Sequence, residues 1–195
     1  MRTKILLTIL LAAGISGIPA RSSADDLFGE FQRLPDAVER GFSMGADFGF
    51  LVITGGKAAV GGVTNPGFQL AFTTGYDFTD LLTIEGVYTL GISEASPFDP
   101  VLQGGVNSFQ FNLAGKAAYP LGRIYPFVEI GPGIWYSRPA YSPTAENKKL
   151  NILIGGGLEY YTMLRHYSLY LKATYFWINL PIDAITFAGG LKYTF

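Results

Sequence analysis

Seven charged side chains are spaced along the chain among small and apolar neighbours: Asp47, Glu85, Lys116, Glu129, Glu159, Lys172 and Lys192. Acids and bases in such settings can trade protons, line an ion path or neutralise one another. Unpaired charge in a confined interior is costly, so the expectation is that these groups pair or stay hydrated. The rest of the reactive inventory is thin. With no cysteine among 195 residues there is no disulfide frame, thiolate metal site, catalytic thiol or acylated cysteine. A single histidine, His166, argues against a His-rich metal site or a conventional triad. His166 and Ser168 could serve as base and nucleophile, but a base needs an orienting acid within reach, and no Glu follows Glu159. Glycines 155–157 follow a strand-like run and open no helix, so they form no phosphate loop. Fourteen bases against fifteen acids give no basic footprint for nucleic acid. The expectation is a chain with no catalytic, cofactor-binding or metal-binding residue, and not an enzyme.

The elements that carry these charges alternate with period two, the signature of strands whose successive side chains face opposite ways. In residues 42–54, Phe42, Met44, Ala46, Phe48, Phe50 and Val52 oppose Ser43, Gly45, Asp47, Gly49 and Leu51. In 68–78, Phe68, Leu70, Phe72, Thr74, Tyr76 and Phe78 oppose Gln69, Ala71, Thr73, Gly75 and Asp77. Similar runs cover 82–92, 108–119, 124–136, 150–161, 167–178 and 185–195, which makes eight. Pro126 and Pro132 remove donors from the fifth run, where a bulge or frayed end is expected. Eight is an even number, as bacterial membrane barrels require.

Which face meets water decides between a soluble and a membrane barrel. A soluble sheet turns its apolar face inward, whereas a membrane barrel turns it to lipid. The polar faces here are crowded with Gly, Ala, Ser and Thr, which suit a narrow interior better than a solvated surface. The chain also opens with Arg2 and Lys4, an apolar stretch over 5–18, and Ser22 and Ala24 in A-x-A-like spacing. That layout predicts a signal peptide over 1–24. Its removal takes Arg2, Lys4 and Arg21 from the 14 bases and leaves a net charge of −4. No later run is apolar and long enough for a spanning helix, and a closed barrel is the other structure lipid permits. The expected fold is all-β: an eight-stranded antiparallel up-and-down transmembrane β-barrel over 42–195, preceded by a periplasmic segment over 25–41. That segment reads as a linker or a short amphipathic helix, with Leu27, Phe28, Phe31 and Leu34 on one side. Links at 77–81, 120–123 and 162–166 are short, and those at 55–67, 93–107 and 137–149 are long. Short turns face the periplasm, so both chain ends lie there. Tyr167 and Trp177 share a face ten residues apart, about 24 Å along a tilted strand, close to the ~25 Å apolar band between aromatic girdles.

The segment Gly75-Tyr76-Asp77-Phe78-Thr79-Asp80-Leu81-Leu82 and the strand Ile124-Tyr125-Pro126-Phe127-Val128-Glu129-Ile130-Gly131 resemble those of the small OmpA-like, OmpX-like and opacity-type barrels. The ending Leu191, Tyr193, Phe195 resembles the C-terminal outer-membrane signature. The resemblance covers 42–195 and includes no peptidoglycan-binding domain. It implies a location in the outer membrane of a Gram-negative bacterium, contact with outer-membrane lipids, and recognition of the last strand by the barrel-assembly machinery. His166-Tyr167-Ser168 also resembles the His-x-Ser pair of lipid A deacylase barrels, without their orienting Glu. An eight-stranded interior is just wide enough for side chains to fill. The expected role is therefore structural or interaction-based, with a lumen plugged by the seven charges and small residues. A protein partner would be met through the loops or residues 25–41. The alternative is a narrow or gated pore for ions or small solutes, and the third reading is a lipid-modifying enzyme.

Overall fold

A computed structural model of the chain describes residues 40–55, 66–79, 81–94, 105–138, 148–162, 166–178 and 182–195. The expected signal peptide over 1–24, nearly all of segment 25–41 and the three long loops lie outside the described residues. Eight strands follow one another: β1 Phe42–Gly55, β2 Gly67–Asp77, β3 Leu82–Glu94, β4 Gly105–Ala118, β5 Ile124–Arg138, β6 Lys148–Tyr161, β7 Tyr167–Ile178 and β8 Ile182–Thr194. Each pairs antiparallel with its sequence neighbours, and β1 closes on β8 from Ser43↔Thr194 to Gly55↔Ile182. Closure leaves no unpaired sheet edge, the condition for burying a sheet in lipid.

Local chemistry sets the turns at one end. Between β2 and β3 the Thr79 hydroxyl accepts from the amides of Leu81 and Leu82, at 3.1 and 3.0 Å. Between β4 and β5 a two-residue loop, Gly122 and Arg123, is clamped by Leu121 and Ile124 exchanging backbone hydrogen bonds of 2.8 and 3.2 Å. Gly122 there has φ +67°, a left-handed conformation that glycine adopts without penalty. The β7–β8 link at the other end takes only residues 179–181.

The alternation predicts the facing, and the structure follows it on every strand. Phe48, Phe72, Ile84, Leu113, Ile130, Leu158, Leu171 and Phe187 point outward, while Asp47, Thr73, Glu85, Asn112, Glu129, Glu159, Thr174 and Thr186 are buried within. One expectation fails. β5 carries neither a bulge nor a frayed end: it is the longest strand, at 15 residues. Its register against β4 is the same on both sides of a gap opposite Gly131 and Pro132, and it pairs with β6 throughout. The two prolines are tolerated for different reasons. Pro126 faces Tyr119 just past the end of β4 and still accepts its amide at 2.9 Å. Pro132 only interrupts the ladder locally.

Candidate functional site in the barrel lumen

The interior is divided along its length. At the turn end and in the middle it is ionic. Lys116 Nζ lies 2.6 Å from Glu159 Oε2 and 3.5 Å from Glu85 Oε1, with its ammonium 4.2 Å from the centre of the Phe127 ring. Lys192 bridges Asp77 at 3.0 Å and Glu159 at 3.6 Å. Lys172 meets Asp47 at 2.8 Å. Hydroxyls and amides complete the carboxylates: Ser168 donates to Glu159 at 2.6 Å, Thr83 to Asp77 at 2.6 Å, Tyr170 to Asp47 at 3.0 Å, Gln69 to Asp47 at 3.3 Å and Thr174 to Glu129 at 3.2 Å. Every one of the seven charges singled out in the sequence therefore lies inside the barrel, and six of them share direct ion pairs. The seventh, Glu129, is held by Thr174 and lines the same cavity as Glu85, Lys116 and Lys172. Charges buried this way persist because each is hydrogen-bonded and six of the seven also have a direct counter-ion.

Glycine makes room for this packing. A Cβ on Gly155 would collide with the Glu129 carboxylate, and one on Gly190 would sit 2.6 Å from the Tyr170 ring and 2.7 Å from Asp47 Cβ. Among the described residues, two cavities between the charges hold about 10 Å³ each, roughly the space of one water. Above them an Asn112–Asn151 pair exchanges hydrogen bonds of 3.0 and 3.5 Å.

The loop end is different and corrects the expectation of an interior filled with small and charged residues throughout. Leu51, Ile53, Trp135, Leu153, Phe176, Ile178 and Ala184 form a buried apolar cluster there, with Trp135 and Phe176 edge to face at 6.3 Å. Strand parity alone points to these residues. Trp135 shares a face with Glu129 and Gly131, and Phe176 shares one with Lys172 and Thr174. Apolar side chains on an inward face read as outliers when each run is sorted by polarity instead of by position. Asp77 and Tyr170 escaped for related reasons, one at a strand end and the other aromatic.

His166 does not join the site. Its Nδ1 lies 2.8 Å from the Thr194 carbonyl and its ring stacks on Tyr193, whereas Ser168 turns inward to Glu159. The three residues of the closing strand face outward. Leu191 and Phe195 are exposed, and Tyr193 packs against Tyr167 at 4.9 Å and Phe195 at 4.8 Å. Phe195 in turn donates its amide to Phe42 at 2.9 Å and meets its ring at 5.7 Å.

No protein-family model matches the chain, and no curated protein matches its sequence. Solved structures do. Neisserial surface protein A aligns with a TM-score of 0.62 at 12% identity, over 80% of this chain and 97% of that one. OprG from Pseudomonas aeruginosa gives 0.52 at 14%, over 83% and 99%. Ail from Yersinia pestis, in complex with the heparin analogue sucrose octasulfate, gives 0.53 at 12%, over 80% and 100%. At these identities the likeness is one of fold: the chain has the fold of the small eight-stranded outer-membrane barrels.

Proposed function

We propose that the protein resides in the outer membrane of a Gram-negative bacterium, and that it acts through what its loops contact and not through catalysis or steady transport. The observation that carries this reading is an inside-out barrel, apolar outside and ionic within. All eight strands present large hydrophobic side chains to the exterior, among them Phe48 at 66% exposed and Leu171 at 69%. Soluble monomers rarely expose a contiguous apolar patch beyond a few hundred Å², and only lipid accommodates such a belt. Aromatic residues rim both ends, with Phe42, Tyr76, Phe78, Tyr167 and Phe195 at the turns, and Phe109, Tyr136 and Trp177 near the loops. Aromatic rings belong at the two interfaces of a bilayer.

The interior supports the rest of the reading. Among the described residues its charges are paired and the voids between them are water-sized, which supports a closed lumen, and the long connections all leave from one end of the barrel. In planar bilayers the purified protein is expected to show no stable conductance; wide, steady channels would overturn the closed lumen. Photo-crosslinkers placed at 95–104 or 139–147 in intact cells are expected to capture a discrete partner that is lost when those loops are shortened. Absence of any adduct from either loop would overturn the interaction role.

A further inference from the structure

We infer that the outward corner of β5 and β6 at the loop end is a docking site for a phosphorylated glycolipid of the outer leaflet. Arg138 and Lys148 hold a phosphate of that lipid, and the apolar wall below them holds its acyl chains. The inference rests on the membrane-barrel reading above and deepens it by naming one lipid and where it sits.

Register builds the corner. Tyr136 of β5 is paired with Phe109 of β4 on one side and with Lys148 of β6 on the other. Side chains directly opposite one another share a face of the sheet, so Lys148 points outward with Tyr136. Arg138, two residues further along β5, shares that face. Both cations are exposed. They are diagonal neighbours across the strand pair, about 7–8 Å apart, so two long side chains can converge on one anion. The Arg138 guanidinium lies 5.9 Å from the centre of the Tyr136 ring, and that ring packs 6.1 Å from Phe109. A guanidinium steadied over an aromatic face keeps its fork free for bidentate phosphate contacts, and the ammonium adds a point charge.

The positive charge is confined to this corner. Among the described outward side chains at the loop ends of the strands, the cations are Arg138 and Lys148, and the acid, Asp183, lies on β8. Below the corner the wall is apolar across three adjacent strands, with Phe111 of β4, Ile130 of β5 and Leu150 of β6 all exposed. Apolar wall, aromatic ring and cation, in that order, match an acylated anion standing in one leaflet with its phosphate at headgroup depth. The long connections leave from this end, which puts the corner in the outer leaflet. The glycolipid of that leaflet in a Gram-negative bacterium, lipid A, carries phosphates and several acyl chains. A zwitterionic phospholipid would bring the two cations no net charge.

The test is native mass spectrometry of the purified protein in detergent, titrated with three probes. These are bisphosphorylated lipid A, the same lipid A stripped of its phosphates, and phosphatidylglycerol. The wild-type protein is expected to retain bisphosphorylated lipid A at least fivefold more strongly than either of the others. Arg138→Gln with Lys148→Gln should abolish that preference while keeping heat-modifiable gel mobility and β-sheet circular dichroism. Arg123→Gln, in the turn at the opposite end, should leave the preference as it is in the wild type. Equal retention of phosphorylated and stripped lipid A would overturn the phosphate contact. Phosphatidylglycerol held as tightly as lipid A would overturn the glycolipid as occupant, and a folded double variant with wild-type preference would overturn the corner. Should the double variant fail to fold, Lys148→Gln alone is expected to lower the preference at least twofold, and no change there would count against the site equally. A wild-type protein that fails to insert into lipid vesicles would instead defeat the membrane-barrel reading, so the two failures are distinguishable.

Discussion

Lys116 is the side chain on which most of the interior depends, because it satisfies two carboxylates and stacks on Phe127 at once. Replacing it with methionine keeps the stem and removes the charge, leaving Glu159 with Lys192 and the Ser168 hydroxyl and taking from Glu85 its ion pair. Breaking a buried pair from one side costs about 3–5 kcal/mol because the remaining charge stays buried. Lys116→Met is therefore expected to lower the unfolding free energy in urea by that amount, and Lys116→Met with Glu159→Gln to recover part of it. A double variant no more stable than the single one would show that the pair carries no coupling. Gly190 offers a steric counterpart. A methyl group there meets the Ala46 carbonyl, the Tyr170 ring and Asp47 together, and overpacking of this kind costs about 1–3 kcal/mol. Gly190→Ala should lower the urea midpoint, while Gly115→Ala, whose added carbon would have its nearest neighbour 4.0 Å away, should leave it unchanged.

At the scale of the strand, the decisive property is parity, and parity is what the sequence displays. All eight strands and their inward and outward faces were legible because alternation survives every substitution that keeps the period. Gly86, Gly115 and Gly156 interrupt the apolar face without shifting it. The seven lumen charges were legible for the same reason. What stayed hidden depends on partners that no single strand records. Lys116 on β4 meets Glu159 on β6 only because a narrow barrel brings inward faces from non-adjacent strands within side-chain reach. The apolar cap combines Leu51 of β1 with Trp135 of β5 and Phe176 of β7, a grouping that local periodicity cannot reveal. Parity also makes a sharp prediction about tolerance. Ile130 faces outward near the middle of β5 and is 60% exposed, so Ile130→Arg places a cation in hydrocarbon and is expected to cost about 2–4 kcal/mol in lipid vesicles. The same change at Tyr119, beyond the end of β4, should cost less than about 1 kcal/mol, because depth in the bilayer sets the penalty. Equal effects at the two positions would contradict the assigned membrane band. At the closing strand, Phe195→Ala removes ring contacts with Phe42 and Tyr193, and loss of such aromatic pairs should cost about 0.5–1.5 kcal/mol each.

For the molecule as a whole, a closed cylinder with its charges inside should respond to salt far less than a surface-charged protein. Electrolyte screens exposed charges more than about 10 Å apart at 0.1 M, and closer exposed pairs as salt rises further, but it screens buried pairs much less. The side chains of Lys116, Lys172 and Lys192 are each no more than 7% exposed, and their carboxylate partners no more than 8%. If the apolar cap and the water-sized voids hold the lumen shut, raising NaCl from 50 mM to 1 M should move the urea midpoint of the wild-type barrel very little. The Trp135→Ala and Phe176→Ala double variant is a different object: its lumen would admit electrolyte from the loop end, and the Lys116, Lys172 and Lys192 pairs would then weaken as salt rises. Its stability is therefore expected to fall with NaCl while that of the wild type does not. This comparison reads the seal through thermodynamics, independently of any current. A wild-type barrel that loses stability steeply with salt would mean that ions already reach the network, and the lumen would have to be redrawn as open.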